Sequence, residues 1–241
     1  MLAISFKADA LLRGHLFMDG DRLQRLTRLV PSSISMTWSC RTDRDRVEQF
    51  IERRYEECYG SVIQRHYPTL MSVRDENDRI IAAVGTRLAA DEKLYLESYL
   101  GQPIETALFT ATGNFVARDR IVEIGNLVSA GKGASVFLFV ALAAYLRHQR
   151  LDYAAVTATK SLRRSFSLFG LGSIEVAAAR PEVLTDGGAC WGSYYTREPK
   201  VLVGAISSGF QRLEAYLPHA HNSDLARLFA QLHPPEKMVL Q

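Results

Sequence analysis

The sequence predicts an α/β domain built on a mixed β-sheet. Strand-like and helix-like segments alternate along most of the 241 residues, which is the order of a layered α/β domain. Residues 69–74 and 79–86 are two strand-like runs joined by the turn-forming segment Asp-Glu-Asn-Asp, so part of the sheet is expected to be antiparallel. Residues 121–150 combine a strand, a glycine-containing loop and the longest apolar helix of the chain.

The composition is typical of a globular chain. Hydrophobic residues make up 47% and charged residues 23%, and the length suits one domain with additional segments. The net charge of +3 is too small to indicate nucleic acid as a partner, and no basic tract is interleaved with aromatic residues. Cys40, Cys58 and Cys190 are far apart, so neither a disulfide framework nor a metal site is predicted.

No segment of the sequence has the pattern of a membrane span. The most apolar run, residues 134–146, is shorter than the roughly 20 residues that a spanning helix needs. Lys7 and Asp9 stand where a secretory signal would have to be apolar. We therefore expect a cytoplasmic protein that makes at most transient contact with a membrane.

The sequence divides into three predicted parts. Residues 1–31 are expected to be an N-terminal extension, with a short strand over residues 3–6 and a helix over residues 21–30. Residues 32–217 are expected to form the main domain, and residues 218–241 a helical C-terminal tail.

After Pro31, residues 33–39 are predicted to form a strand. The next helix is expected to start at Thr42 as its N-cap, with Asp45 in a capping-box position, and to end at Gly60.

Residues 93–100 alternate between apolar and polar types, which predicts a strand. Tyr95, Glu97 and Tyr99 would share one face of it, either as solvated surface or as the wall of a cleft. Residues 103–112 are predicted to form a short helix.

The second half of the chain continues the alternation. The strand over residues 121–128 and the helix over residues 134–149 come first. The remaining predicted elements are a strand over 151–158, a helix over 160–169, a strand over 173–178, a strand over 189–196, either a helix over 199–217 or a strand over 200–206, and a last helix over 223–232.

The loop after the strand at 121–128 is predicted to bind an anion. Gly131 and Gly133 allow unusual backbone angles, and the helix that follows presents free N–H groups. The segment is one residue too long for a P-loop and lacks the Ser or Thr after Lys132. Val136 stands where the dinucleotide fingerprint needs its third glycine.

The segment from Ser129 to Ala134 resembles the donor loop of the GNAT acyltransferase superfamily. In that family an Arg/Gln-x-x-Gly-x-Gly/Ala sequence holds the pyrophosphate of an acyl-CoA, and here Ser129 replaces the Arg or Gln. Gly125 lies where the bulge of the family's fourth strand would be tolerated. Phe166 stands where the family often has a tyrosine, whose hydroxyl is the usual acid for the departing thiolate.

Four segments are similar to a narrower family, the thermostable haemolysin-like proteins, over roughly residues 40–210. They are residues 94–100 (LYLESYL), 122–129 (VEIGNLVS), 157–159 (TAT) and 191–195 (WGSYY). This family is similar in outline to acyl-homoserine-lactone synthases, which take acyl groups from acyl carrier protein. The resemblance implies a GNAT-like α/β fold, with a mixed, largely antiparallel central sheet flanked by helices, and an acyl-transfer site.

Acyl transfer to an amine needs a neutral amine, a polarised thioester carbonyl and a proton for the leaving thiolate. Glu97 and Glu123 are competing candidates for the base, and Tyr194 and Tyr195 are alternative acids. Burial in an apolar strand would raise the pKa of Glu123, and the alternative is a structural carboxylate paired with an arginine or a backbone N–H. A bulge at Gly125 would turn Glu123 and Asn126 toward one cleft.

The binding residues implied by the resemblance fall into two sets. The donor is expected to contact Leu127, Val128, Ser129, Gly131, Lys132, Gly133 and Ala134. The substrates are expected to contact Tyr99, Asn126, Thr157, Thr159 and Trp191, although Trp191 could be a core aromatic instead.

The sequence therefore predicts an N-acyltransferase that moves an acyl group from an acyl thioester to an amine such as an amino acid. The donor is acyl-CoA or a phosphopantetheine-linked acyl carrier protein, acting as a co-substrate and not as a covalently bound cofactor. The carrier protein is slightly favoured because it is acidic. The arginines that would suit it are Arg22, Arg25, Arg28, Arg163 and Arg164.

Two other functions stay open at this stage. The family name suggests a membrane-active, haemolysin-type protein, but the sequence has no strongly basic amphipathic helix. Ser129 and Phe166 also allow a GNAT-like module that binds an acyl thioester without catalysis.

Overall fold

The computed structural model describes residues 1–38, 40–131, 133–217, 222–230 and 232. Its strands are β1 (Leu2–Ala8), β2 (Leu11–Met18), β3 (Ser33–Thr37), β4 (Thr69–Arg74), β5 (Ile80–Leu88), β6 (Ile121–Ser129), β7 (Tyr153–Ala158), β8 (Ile174–Ala178) and β9 (Lys200–Ala205). Its helices are α1 (Gly20–Gln24), α2 (Arg41–Tyr59), α3 (Glu97–Leu100), α4 (Ile104–Thr112), α5 (Ser135–His148), α6 (Lys160–Leu168), α7 (Ile206–Leu213) and α8 (Asn222–Ala230).

The described strands join one sheet in the order β2-β1-β3-β4-β5-β6-β7-β9-β8. The pairs β1–β3 and β6–β7 are parallel, and the other six are antiparallel. The predicted fold, a mixed and largely antiparallel sheet flanked by helices, is confirmed.

Helices cover both faces of this sheet because successive side chains of a strand point to opposite sides. On β5, Ala82 and Val84 pack in the core around α5, whereas Ala83 packs in the core under α2. The α5 face also carries α7 and α8, and the α2 face also carries α3 and α4. Among the described residues, no helix is both long and apolar enough to cross a bilayer.

The first residues of the chain extend the main sheet. β1 and β2 form a hairpin, and β1 runs parallel to β3, so the predicted strand at residues 3–6 is present and longer than expected. The helix predicted over residues 21–30 is wrong beyond α1, because the chain leaves the helix at Arg25. The segment after α1 packs on the loop before α5, where a Cβ on Gly133 would lie 2.8 Å from the Cβ of Thr27.

The strand predicted over residues 93–100 is wrong. The chain turns there and forms α3, and the Glu97 carboxylate accepts hydrogen bonds from the backbone N–H groups of Leu94 and Ile104, both at 2.9 Å. Leu96 and Tyr99, three positions apart, are buried, as expected for a helical turn and not for a strand.

Two further predictions near chain reversals are also wrong. Residues 189–196 form short 3₁₀ turns instead of a strand, and a Cβ on Gly192 would lie 2.1 Å from the carbonyl oxygen of Tyr59. α2 begins at Arg41 without a side-chain cap, so the predicted Thr42 cap is absent. Of the alternatives over residues 199–217, the strand is correct, and it leads directly into α7.

β6 carries the predicted irregularity close to Gly125. Ala83 pairs with Val128 and Gly85 pairs with Gly125, so two residues of β6 stand opposite one residue of β5. One of these two, Asn126, has a φ of 49°. This is a β-bulge, which bends the strand and redirects its side chains.

Candidate functional site

β6 and β7 separate beyond the bulge. The two parallel strands pair only along Ile121–Ile124 and Tyr153–Val156, although both continue further. The opening between them is a cavity of about 180 Å³ that reaches the start of α5 and of α6, and we call it the strand gap. Because its lining includes Tyr55 from α2 and Phe139 from α5, it connects the two faces of the sheet.

A larger cavity of about 600 Å³ lies on the α2 face, and we call it the aromatic cleft. Its aromatic lining residues are Tyr55, Tyr67, Tyr95, Tyr99, Trp191 and Tyr194. The aromatic cleft and the strand gap share five lining residues, which are Tyr55, Gly125, Asn126, Thr157 and Tyr194. The two cavities therefore meet at the bulge.

A third cavity of about 120 Å³ lies on the α5 face, and we call it the apolar chamber. Residues of α5, α6, α7, β6, β7 and β9 line it. It shares Leu127, Phe139 and Val156 with the strand gap. Phe166 lines it and packs against Phe139 with ring centroids 5.8 Å apart, so this phenylalanine serves the apolar chamber.

Glu123 is a buried carboxylate beside the bulge. Its side chain is only 2% exposed, and its oxygens accept hydrogen bonds from the backbone N–H groups of Tyr95 and Leu96, both at 2.9 Å. Arg87 is its nearest cation, at 4.0 Å. Burial raises the pKa of Glu123 above its usual value, although the two N–H donors act in the opposite direction. A buried carboxylate with a raised pKa is a candidate proton acceptor near neutral pH.

Tyr67 lies between Glu123 and the aromatic cleft. Burial and the Glu123 carboxylate raise the pKa of the Tyr67 hydroxyl well above its usual value, and the Tyr67 backbone N–H donates to Asn126 Oδ1 at 3.2 Å. Glu123 and Asn126 therefore both act on Tyr67, as expected if the bulge turns both toward one side. Its ring covers the paired glycines Gly85 and Gly125, where added Cβ atoms would approach the ring to 2.9 and 2.2 Å.

Glu97 is held by a different set of groups. Besides two backbone N–H donors, the Arg118 guanidinium donates to both of its oxygens. Burial alone would raise the pKa of Glu97, but these donors outweigh burial and hold the pKa below its usual value. Neither Glu97 nor Glu123 lines any of the three cavities.

The two candidate tyrosine acids point to different places. Tyr194 lines both the aromatic cleft and the strand gap, and its hydroxyl donates to the carbonyl oxygen of Thr157 at 3.4 Å. Burial raises the pKa of Tyr194 well above its usual value, so its hydroxyl stays protonated. Tyr195 lines neither cavity, and its hydroxyl bonds the hydroxyl of Tyr99 at 2.7 Å.

The predicted substrate-contact residues all lie at these cavities. Trp191 and Tyr99 line the aromatic cleft, and the Trp191 indole N–H donates to the Tyr95 hydroxyl at 3.1 Å. Thr159 lines the strand gap, and its hydroxyl bonds that of Ser161 at 3.2 Å.

The predicted donor loop follows the strand gap. Leu127, Val128 and Ser129 line the gap, and Ser129 Oγ accepts a hydrogen bond from the backbone N–H of Gly131 at 3.1 Å. Gly131 and Gly133 have φ values of 81° and 79°, and Ala134 is the fully buried N-cap of α5. Lys132 lies outside the described residues.

Sequence reasoning missed Tyr67, Arg87 and Tyr55. Gly85 inside a strand-like run is a signal of a close approach, but it does not reveal what approaches. The Arg87 guanidinium carbon lies 4.7 Å from the centre of the Tyr67 ring, and Arg87 also pairs with Glu92 at 3.1 Å.

The chain matches one known protein family. A family profile described as thermostable hemolysin matches residues 38–210, close to the range over which the sequence resembles that family. No curated protein matches the chain.

Two solved structures share the fold. The AHL synthase LasI superposes with a TM-score of 0.50 at 11% identity, over 77% of this chain and 95% of LasI. TofI, solved in a ternary complex with an inhibitor and MTA, superposes with a TM-score of 0.51 at 13% identity, over 78% of this chain and 98% of TofI.

Proposed function

This chain belongs to the thermostable hemolysin family, and from its three connected cavities we propose that it is an N-acyltransferase that takes an acyl group from a phosphopantetheine thioester. The observation that carries the proposal is the junction at the bulge. There the strand gap, the aromatic cleft and the apolar chamber meet beside a buried carboxylate and a protonated tyrosine. The fold shared with LasI and TofI agrees with this assignment.

The strand gap suits the pantetheine arm of the donor. β6 and β7 stop pairing after Ile124 and Val156, so their next backbone groups can bond the amides of an extended ligand, as in β-strand addition. No side chain of the described residues caps α5, so the N-terminus of that helix suits the donor's phosphate.

The apolar chamber suits the acyl chain. It opens from the strand gap at Leu127, Phe139 and Val156, and side chains such as Leu142, Leu171 and Leu202 line it. Each methylene buried in such a space contributes about 0.8 kcal/mol. An acyl group longer than acetyl is therefore the expected donor.

The aromatic cleft then receives the amine, and the thioester carbonyl lies at the bulge between both substrates. Glu123 is the proposed base, because its pKa is raised by burial and it lies beside the junction. Glu97 does not suit this role, because Arg118 and two N–H groups stabilise its charged form. Tyr194 is the proposed acid for the thiolate, since it lines both the strand gap and the aromatic cleft and Tyr195 lines neither.

An acyl carrier protein is the preferred form of the donor. Ser129 supplies no cation where the GNAT loop usually has one, and CoA would need more positive charge at this loop than Lys132 alone supplies. Arg163 donates to the carbonyl oxygens of Ala158 and Glu198, whereas Arg22, Arg25, Arg28 and Arg164 are exposed and could meet an acidic carrier; Arg22 also pairs with Asp19 at 3.3 Å.

The test is thiol release with short, medium and long acyl chains, each presented on CoA and on a carrier protein. A panel of amino acids and simple amines serves as acceptors, and mass spectrometry identifies the acylated product. We expect amide formation with a medium or long acyl chain and faster turnover with the carrier protein. If no donor releases thiol and none binds, the protein is not an acyltransferase.

The family name is compatible with this chemistry. An acylated amino acid is a surfactant, so its accumulation would lyse cells without a pore. We expect lysis from the reaction product and none from the purified, lipid-free protein. Lysis by the protein alone at low concentration would favour a directly membrane-active protein instead.

A further inference from the structure

Glu123 is enclosed so completely that a bound amine cannot touch it. The residue is 1% exposed, and its oxygens are occupied by the backbone N–H groups of Tyr95 and Leu96. It does not line the aromatic cleft, whereas its neighbours Ile124 and Gly125 do. A base in this position needs another group to reach the substrate.

Tyr67 is the group placed between them. It lines the aromatic cleft, and the Arg87 guanidinium that lies over its ring is also 4.0 Å from the Glu123 carboxylate. The backbone of Tyr67 is held on both sides, since its N–H donates to Asn126 Oδ1 and its carbonyl accepts from Arg44 at 2.8 Å.

The Tyr67 ring lies against a part of the sheet that has no side chains. Gly85 and Gly125 are register partners on β5 and β6, and a Cβ on Gly125 would lie 2.3 Å from the Tyr67 hydroxyl oxygen. The Arg87 guanidinium covers the ring at 4.7 Å from its centre. Two glycines, one cation and two backbone hydrogen bonds therefore fix where the hydroxyl points.

We propose that Tyr67 contacts the acceptor amine and relays its proton to Glu123. This inference rests on the proposed acyl transfer and adds a catalytic residue to it. The amine nitrogen attacks the thioester carbonyl carbon, and the C–N bond forms. The nitrogen loses its proton to the Tyr67 oxygen as the Tyr67 O–H proton passes to the Glu123 carboxylate.

The remaining bonds and protons balance as follows. The C–S bond breaks, and the thiolate takes the hydroxyl proton of Tyr194. The proton on Glu123 then returns through the Tyr67 hydroxyl to solvent in the aromatic cleft, and Tyr194 regains a proton, so the net change is amine plus thioester to amide plus thiol. Tyr67 keeps one proton throughout, so no tyrosinate has to exist beside the carboxylate.

The charges around Tyr67 and Glu123 favour this concerted proton transfer. Burial and the neighbouring Glu123 hold the pKa of Tyr67 well above its usual value, so free ionisation of its hydroxyl is disfavoured. The groups that face the pair are Arg87 from β5 with Glu92 behind it, Tyr55 from α2, and the N–H groups of Tyr95 and Leu96.

The decisive variant is Tyr67→Phe, which keeps the ring against Gly85 and Gly125 and removes only the hydroxyl. We expect kcat/KM to fall by at least about 10²-fold, the lower range of general-base contributions. Tyr145→Phe is the matched control, because Tyr145 is another buried tyrosine, on α5 and outside all three cavities. It should keep wild-type activity, and both variants should unfold cooperatively.

The pH profile separates a relay from a packing role. The Tyr67 hydroxyl lowers the pKa of Glu123, so its removal should raise that pKa and move the acidic limb of kcat/KM to higher pH. Glu123→Gln should abolish this limb, and adding Tyr67→Phe to it should cost little more activity. The pH profile is then repeated with an acceptor amine of different pKa. A limb that moves with the acceptor reflects ionisation of the amine and not of Glu123.

Each outcome has a distinct meaning. If the wild-type protein acylates amines but Tyr67→Phe keeps both its rate and its acidic limb, the relay is wrong and the acyltransferase assignment stands. If the wild-type protein acylates no amine, the proposed function fails and the relay with it.

Discussion

At the scale of residues, two glutamates that look alike in sequence have opposite environments. Arg118 and two backbone N–H groups stabilise the charge of Glu97, whereas burial destabilises the charge of Glu123. The first arrangement anchors a loop, and the second suits proton transfer.

Glu97→Gln should therefore destabilise the fold without removing catalysis. An amide cannot accept all four hydrogen bonds that the carboxylate accepts, so we expect a loss of about 1–3 kcal/mol in the free energy of unfolding. Activity of the folded variant should stay within a few-fold of wild type, whereas Glu123→Gln should lose on the order of 10²–10⁴-fold in kcat/KM.

The pH dependence of stability checks the same assignment. The pKa of Glu97 is lower in the folded state, so its contribution is complete above the unfolded pKa of about 4.3 and is lost as pH falls through the folded pKa. Urea unfolding should therefore separate wild type from Glu97→Gln at neutral pH and bring them together in acid. A stable but inactive Glu97→Gln protein would instead make Glu97 the base.

At the scale of elements, the bulge in β6 decides what the neighbouring strands can do. It ends the pairing with β7, opens the strand gap and places Asn126 at the junction of two cavities. α5, α6 and α7 then enclose the apolar chamber below that opening.

Ala143→Phe on α5 should shorten the acyl chain that the protein accepts. Ala143 lines the apolar chamber, so a larger side chain there would occupy space assigned to the chain's end. Each excluded methylene costs about 0.8 kcal/mol, or roughly fourfold in kcat/KM. Measured over donors of increasing length, activity should fall for long chains and persist for short ones.

The matched control is Ala111→Phe on α4, which lines none of the three cavities. It should leave the chain-length profile unchanged. An unchanged profile in Ala143→Phe would mean that the acyl chain binds elsewhere.

At the scale of the whole molecule, β1 and β2 from the first 31 residues belong to the main sheet although the family match begins at residue 38. Ile4 and Phe6 from β1 and Leu16 and Met18 from β2 are fully buried in the largest core. Deletion of residues 1–31 would also expose the edge of β3.

We expect the chain from residue 32 onward to be insoluble or to lack a cooperative unfolding transition. Four such side chains contribute about 1.5–3 kcal/mol each, which is comparable to the whole stability of a domain, about 5–15 kcal/mol. Solubility, circular dichroism and urea unfolding test this. As a control in the full chain, Leu12→Ser should leave the free energy of unfolding unchanged because Leu12 is 59% exposed. A truncated protein with the wild-type urea midpoint would show that the hairpin of β1 and β2 is dispensable.

Elements whose signal is local could be predicted from the sequence. The strand at β6, its glycine loop and α5 follow from β-branched and apolar composition and from two glycines, and Gly60 ends α2 as predicted. The bulge near Gly125 was also predictable, because a glycine within a strand marks an irregularity. The family match likewise depends on short contiguous segments.

Only the tertiary structure decided which of these residues act together. The alternation over residues 93–100 suggested a strand, but a carboxylate accepting from Leu94 and Ile104 stabilises a turn instead. The partners of Glu123 and Tyr67 lie 28 and 59 positions away, in Tyr95 and Asn126. A local sequence pattern reflects the conformational propensity of the backbone. Burial and charge instead depend on contacts between segments that are distant in sequence. Burial and charge set the pKa of a carboxylate and the access of a substrate to it.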